Sequence, residues 1–119
     1  FTNAFAGKLI NIHPSLLPEY PGLDTHKQAL ENGDLMHGAT IHYVDEGLDS
    51  GPIIAQGALK IDPSQSEAKL AQRIHKIEHA LLPKVIAEIA KELISLKGKE
   101  VKFESKSYFG KNNMEFFNV

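Results

Sequence analysis

The sequence predicts an α/β fold: a mostly parallel sheet carrying antiparallel additions, with one long helix packed across a face. Three observations lead there. Short β-branched runs around Ile10, Ile41 and Ile53 have the length and composition of strands. Apolar residues recur at helical spacing from Leu70 onward, and clusters of glycine and proline separate the two kinds of segment.

Lys8 to Ile12 is apolar and short, which suits a buried strand that stops where the prolines begin. Asn11 and His13 then fall at its C-terminal edge. Thr25 with Gln28 makes a capping box, and HKQALEN before Gly33 reads as a short helix with a glycine stop. Gly38 to Val44 alternates, with Ala39, Ile41 and Tyr43 on one face and Thr40, His42 and Val44 on the other. Gly47 and Gly51 let the backbone bend around Asp49 before the next strand, Ile53 to Ile61. Ser64 and Glu67 form a second capping box; Leu70, Ile74, Ile77, Leu81, Val85, Ile89 and Leu93 then mark one helical stripe running to Gly98, with a kink expected at Pro83. The tail from Val101 has room for one more strand.

A chain of 119 residues, 42% hydrophobic, fits one globular unit that buries roughly two thirds of its extended surface. A net charge of −2 gives no basic field for a phosphate backbone, so nucleic acid is not an expected partner. The absence of cysteine removes disulfides and thiolate chemistry and fits a reducing compartment, so the expected location is cytoplasmic. Pro83, Lys84 and Glu88 interrupt the longest apolar candidate, which argues against a membrane span, and no signal-peptide pattern opens the chain. The first residue is Phe1, and FTNAFAGK runs almost directly into a strand, as if a larger unit had been entered partway.

The segment NIHPSLLPEYPGLDTH places an amide and two imidazoles among prolines. Asn11 and His13 share a face of an extended strand, and an amide N–H with an imidazole N–H aimed at one spot can stabilise charge developing on a carbonyl oxygen. A carboxylate within reach adds general acid/base work, and Asp49 on its glycine-flanked loop is the candidate. Taken singly, each residue is ordinary turn or cap chemistry; only the combination points to catalysis.

Several rivals are weaker. HKIEH, His75 to His79, matches the inverted zinc-protease pattern with Glu78 as base, but it lacks a third downstream ligand, so solvent-facing histidines are the simpler reading. His26, His37 and His42 with Asp24 follow no ligand spacing. Ser15 in HPSLLP is not a nucleophile elbow, and no glycine-rich phosphate loop is present.

NIHPSLLPEYPGLDTHKQALENGD followed by HGATIHYVDEGLDSGPII closely resembles the phosphoribosylglycinamide formyltransferases, over roughly Gly7 to Leu96. Related formyltransferases acting on methionyl-tRNA typically follow S-L-L-P with an R-G-A-type stretch, and formyltetrahydrofolate deformylases read H-H-S-F-L-P; both fit less well. The resemblance implies that Asn11 and His13 hold the formyl oxygen of 10-formyltetrahydrofolate while Asp49 manages protons. It also implies that Val44, Asp45, Glu46, Leu48 and Asp49 receive the pterin and that Glu78 contacts glycinamide ribonucleotide, with no metal. His75 stands where relatives often carry another polar residue.

Family members open with a Rossmann-like half bearing a phosphate loop. These residues therefore correspond to the C-terminal catalytic half of a single formyltransferase domain, expected to bind both substrates poorly alone. A formyl-folate hydrolase and a non-catalytic folate-binding fragment are the competing expectations, and the oligomeric state is left open.

Overall fold

A computed structural model of the chain describes residues 9–119. Lys8, the expected start of the first strand, lies outside them. Strands β1 (Ile10–His13), β2 (Met36–Tyr43), β3 (Ile53–Lys60) and β6 (Met114–Phe116) form one sheet in the order β1-β2-β3-β6. Helix α1 (Thr25–Glu31) lies between β1 and β2 in sequence, α2 (Glu67–Ala90) follows β3, and β4 (Ile94–Lys97) with β5 (Glu100–Phe103) makes a separate hairpin. Among the described residues, no helix is long and apolar enough to cross a membrane.

The α/β class and the long packing helix match expectation, but the predominance of parallel pairing does not hold among the described residues. β1 pairs antiparallel with β2, β2 pairs antiparallel with β3, and only β3 with β6 is parallel. Chemistry on the faces accounts for the antiparallel register. It sets Asn11 opposite His42 and His13 opposite Thr40, gathering polar groups on one face, and Ile12 opposite Ile41 on the other.

The apolar face is covered by α2, whose buried Leu70, Ile74, Ile77, Leu81 and Val85 recur at three- and four-residue intervals. They meet Ala39, Ile41, Tyr43, Ala55 and Leu59 in one core. Close approach is possible because β3 carries Gly57, where a Cβ would lie 2.4 Å from the Ile77 side chain and 2.9 Å from Leu81. Helix α2 continues unbroken past Pro83.

Three boundary expectations need correction. The α2 cap is Ser66, whose hydroxyl accepts from the Lys69 amide; the Ser64 hydroxyl is taken by Asp62. At α1 the cap position is Asp24, in the left-handed region at φ 58 and without a side-chain cap bond. Thr25 is the first helical residue rather than the cap, with its hydroxyl donating to the Pro14 carbonyl, and the Gln28 side-chain amide donates to the Leu23 carbonyl instead of reaching back to a cap. The apolar stripe ends at Ala90 rather than reaching Gly98: Glu92 turns to φ 61, Leu93 leaves the helix, and Gly98 (φ 62) serves the β4–β5 hairpin. The tail supplies two strands, β5 and β6, where one was expected.

Glu88 anchors that tail. Its largely buried carboxylate accepts from the Ser107 hydroxyl and the Tyr108 amide, while Lys84 Nζ lies 5.2 Å from the Tyr108 ring centre.

Replacing Gly57 by Ala should lower unfolding free energy by about 1–3 kcal/mol through overpacking against α2. Urea denaturation measures this, and an unchanged midpoint would show that the helix can yield.

Candidate active site

The polar face is built outward from Thr40. This fully buried hydroxyl accepts from the Leu17 amide at 3.1 Å and from Gln56 Nε2 at 3.0 Å, and donates to the Ser15 carbonyl at 2.7 Å. Gln56, directly opposite Thr40 on β3, also donates to the Leu17 carbonyl. The proline-rich loop after β1 is thereby seated on the sheet through its own main chain. Ser15 Oγ donates to the Glu19 carbonyl, Thr25 to Pro14, and Tyr20 to Asp34. Ser15 is thus a fully buried turn residue with its hydroxyl occupied.

This seating brings the loop back over β1, where His13 Nε2 donates to the Tyr20 carbonyl at 2.7 Å. On the other side of the ring, His13 Nδ1 faces Asp49 Oδ2 at 3.4 Å. Both ring nitrogens therefore face oxygen acceptors. Asp49 is held from a second direction by the Gly22 amide, 2.8 Å from the same oxygen, and sits at φ 51 in the left-handed region. Its loop is tied by Asp45, whose Oδ1 accepts from the Gly47 amide and the Ser50 hydroxyl. Gly51 follows where any Cβ would fall 1.7 Å from the Tyr43 carbonyl, so the chain passes β2 too closely for another residue.

His42 joins this group. Its Nδ1 donates to the Tyr43 carbonyl at 2.9 Å, and Nε2 points toward Asp49 Oδ1 at 3.9 Å, buried and without a hydrogen-bond partner among the described residues. Sequence reasoning placed His42 beside Thr40 on one strand face but did not assign it to the site. The missing signal was register, which sets His42 opposite Asn11. Asn11 is exposed on that same face.

A cleft of about 290 Å³ opens beside Asp49, lined by Leu17, Pro18, Pro21, Leu48, Gly51 and Ile53 among others. Leu48 is 73% exposed; Val44 is half-buried, and Asp45 and Glu46 are exposed on the adjoining turn. Apolar walls with a carboxylate at one end suit a flat, largely apolar ligand whose polar edge reaches the loop.

Glu78 lies elsewhere, on α2, where Oε1 is 3.0 Å from His75 Nδ1. It has no contact with the His13–Asp49 group among the described residues. The His75 and His79 rings are tilted with centres 6.3 Å apart, and His75 is committed to Glu78. Among the described residues, no three His, Cys, Asp or Glu side chains are placed to share a metal ion.

His26 and His37 do meet, Nδ1 to Nε2 at 3.0 Å, on the apolar side of β2 and away from His42. Burial pushes the His37 imidazole down to about 4, with His26 adding to the shift; burial also lowers His26.

An imidazole facing a carboxylate beside an apolar cleft, with an exposed amide on the same strand face, is a set of groups suited to acid/base chemistry and oxyanion stabilisation at a carbonyl carbon. The sequence itself supplies the narrower placement. Residues 1–86 match the formyl transferase family, and the chain belongs to it. It is 54% identical over 86 residues to the phosphoribosylglycinamide formyltransferase of Bacillus subtilis, covering 72% of this chain and 44% of that enzyme. The crystal structure of the phosphoribosylglycinamide formyltransferase from Anaplasma phagocytophilum superposes with a TM-score of 0.89 at 36% identity, over 99% of this chain and 56% of that one. A formyltetrahydrofolate deformylase from Pseudomonas syringae is a further neighbour, with a TM-score of 0.81 at 28% identity over 87% of this chain and 35% of its own. The chain thus spans about half the length of the formyltransferases it matches.

Two outcomes are expected. Thr40→Val should destabilise the protein by about 1–3 kcal/mol, because it strands the buried Ser15 carbonyl and Leu17 amide, and calorimetry will read the loss. Because the folded pKa of His37 lies below the unfolded value of about 6.5, the unfolded state binds more protons between about 4 and 6.5. Stability should therefore be full above pH 6.5 and fall as pH drops through that window, at up to about 1.4 kcal/mol per unit. Urea titrations at pH 7 and 4.5 test this, and His37→Gln should flatten the slope.

Proposed function

We propose that this chain is the catalytic half of a phosphoribosylglycinamide formyltransferase, moving a formyl group from 10-formyltetrahydrofolate to the amine of glycinamide ribonucleotide in purine biosynthesis. The observation that carries the reading is the convergence of His13 and Asp49, 3.4 Å apart, beside an apolar cleft in a chain of the formyl transferase family.

In this reading the pterin occupies the cleft against Leu48 and the main chain from Val44 to Asp49, with Asn11 at its formyl end. The substrate amine attacks the formyl carbon, giving a tetrahedral intermediate whose oxyanion is held by the Asn11 amide and the His13 imidazolium. His13 exchanges its bond to the Tyr20 carbonyl, or its contact with Asp49, for the substrate oxygen. Asp49, through a water, takes a proton from the attacking nitrogen and returns one to N10 as the carbon–N10 bond breaks. No metal and no covalent enzyme intermediate is needed. Glu78 reads the ribonucleotide, and its contact with His75 holds one carboxylate oxygen in place. The substrate's phosphate is cradled by the other half of the domain, and the working protein is cytoplasmic.

A second reading, hydrolysis of the formyl-folate to formate, is favoured by the likeness to the Pseudomonas syringae deformylase. Product identity separates the two.

Fusing the chain to the unmatched segment of the Bacillus subtilis enzyme rebuilds a full-length domain for assay. The fusion should form formylglycinamide ribonucleotide, the chain alone should not, and formate release without amine substrate would favour the hydrolase. In the fusion, Asp49→Asn should cut turnover by about 100-fold or more while folate affinity stays within a few-fold. Undiminished turnover would remove Asp49 from the mechanism.

A further inference from the structure

The seat made by Thr40 and Gln56 reaches the proline-rich loop no further than Leu17. Beyond it lies the loop tip, Pro18 to Gly22, and the tip carries the two main-chain groups that meet the proposed catalytic pair. The Tyr20 carbonyl accepts from His13 Nε2, and the Gly22 amide donates to Asp49. In the proposed reaction these contacts are open to exchange with substrate. A bond that opens when substrate arrives cannot also hold the tip in place.

Two further bonds, Ser15 Oγ to the Glu19 carbonyl and the Glu19 amide to the Leu16 carbonyl, shape the turn but tie the loop only to itself. Among the described residues, the side-chain tether from the tip to another part of the fold is the Tyr20 phenol. It donates to the Asp34 carboxylate and accepts from Asn32 Nδ2 at 2.9 Å. Both partners lie in the turn between α1 and β2. That turn is closed by the amides of Asn32, Gly33 and Asp34, which donate back to Gln28, Leu30 and Ala29 of α1. One residue later the Leu35 carbonyl accepts from the Ile61 amide at 2.9 Å, just past β3. The tether therefore ends on a fixed part of the molecule.

The main chain of Tyr20 shows that its position is imposed. Its φ of 50 lies in the left-handed region, where an aromatic L residue is strained. Such a conformation persists only where the surroundings over-determine it. Here the ring packs against the core, the hydroxyl is bound at its far end, and the carbonyl is directed onto His13.

We infer that Tyr20 is a positioning residue for the proposed formyl transfer: its phenol, latched to Asp34 and Asn32, holds the strained main chain at residue 20 so that the Tyr20 carbonyl fixes the His13 ring. A carbonyl only accepts, so this contact requires the proton on Nε2 and turns Nδ1 toward Asp49. Without the latch, residue 20 relaxes toward an ordinary φ, its carbonyl leaves the ring, and substrate meets a mobile imidazole. The inference rests on the functional reading for the reaction it serves, whereas the effect of the latch on His13 does not depend on any reaction.

The test uses the fusion with the unmatched segment of the Bacillus subtilis enzyme. Tyr20→Phe keeps the packed ring and removes the hydroxyl. It should lower kcat about 10-fold and leave KM for the formyl-folate within about 2-fold, as a misplaced catalytic group does. The melting temperature should stay within about 2 °C. Asp34→Ala should reproduce the loss, and Asp34→Asn, which still offers the phenol an oxygen, should restore most of the turnover. Combining Tyr20→Phe with Asp34→Ala should be no slower than either alone, because both cut the same latch. In NMR spectra of the fusion, the His13 Nε2 proton should exchange with water at least about 10-fold faster in Tyr20→Phe than in the parent. Unchanged kcat in Tyr20→Phe, an unchanged exchange rate of the His13 proton, or a lowered kcat matched by raised KM and a lowered melting temperature would each overturn the inference. A parent fusion that forms no product would count against the functional reading, and the exchange rate of the His13 proton would then decide the latch by itself.

Discussion

The candidate site depends on one buried hydroxyl. Thr40 sits in the middle of β2 and makes three hydrogen bonds, two of them to the main chain of a loop twenty-odd residues earlier. A proline-rich segment offers few amides for regular pairing, so its shape must be imposed by what lies beneath it. Thr40 and Gln56 do this, and only once the loop is seated can the Tyr20 carbonyl reach His13 and the Gly22 amide reach Asp49. The groups proposed for chemistry are thus held through main-chain atoms, which keeps them in place while leaving side-chain identity along the loop comparatively free.

The two faces of the sheet divide the labour. On one, Gly57 lets α2 press against β3 and form the dry core; on the other, Thr40, His42 and Gln56 continue the polar row begun by Asn11 and His13. His26 and His37 occupy the apolar side. The buried His37 ring packs as a neutral core residue there, so imidazoles close in sequence do different physical work according to strand parity.

Much of this was legible in the residues. The alternation from Gly38 to Tyr43 assigned Thr40 and His42 to one face correctly, and the helical spacing from Leu70 to Val85 located the core stripe. Local signals failed where a distant partner claimed the group. Thr25 looks like a cap until Pro14 takes its hydroxyl, and Leu93 continues the helical period until Glu92 reverses the chain. The meeting of His13 with Asp49 joins residues far apart in sequence; the glycines flanking Asp49 made it the candidate carboxylate, but spacing alone could not bring the two together. The role of His42 needed the register of β1 against β2, which no single segment encodes.

Glu88 has a consequence for how the molecule tolerates change. The family match stops at residue 86, just ahead of this carboxylate, which moors the C-terminal segment through a hydroxyl and a main-chain amide. The mooring constrains both sides: past Tyr108 the same segment returns Phe109 to the core and lays β6 beside β3, so any replacement must bring one small alcohol, one free N–H and a strand able to finish the sheet.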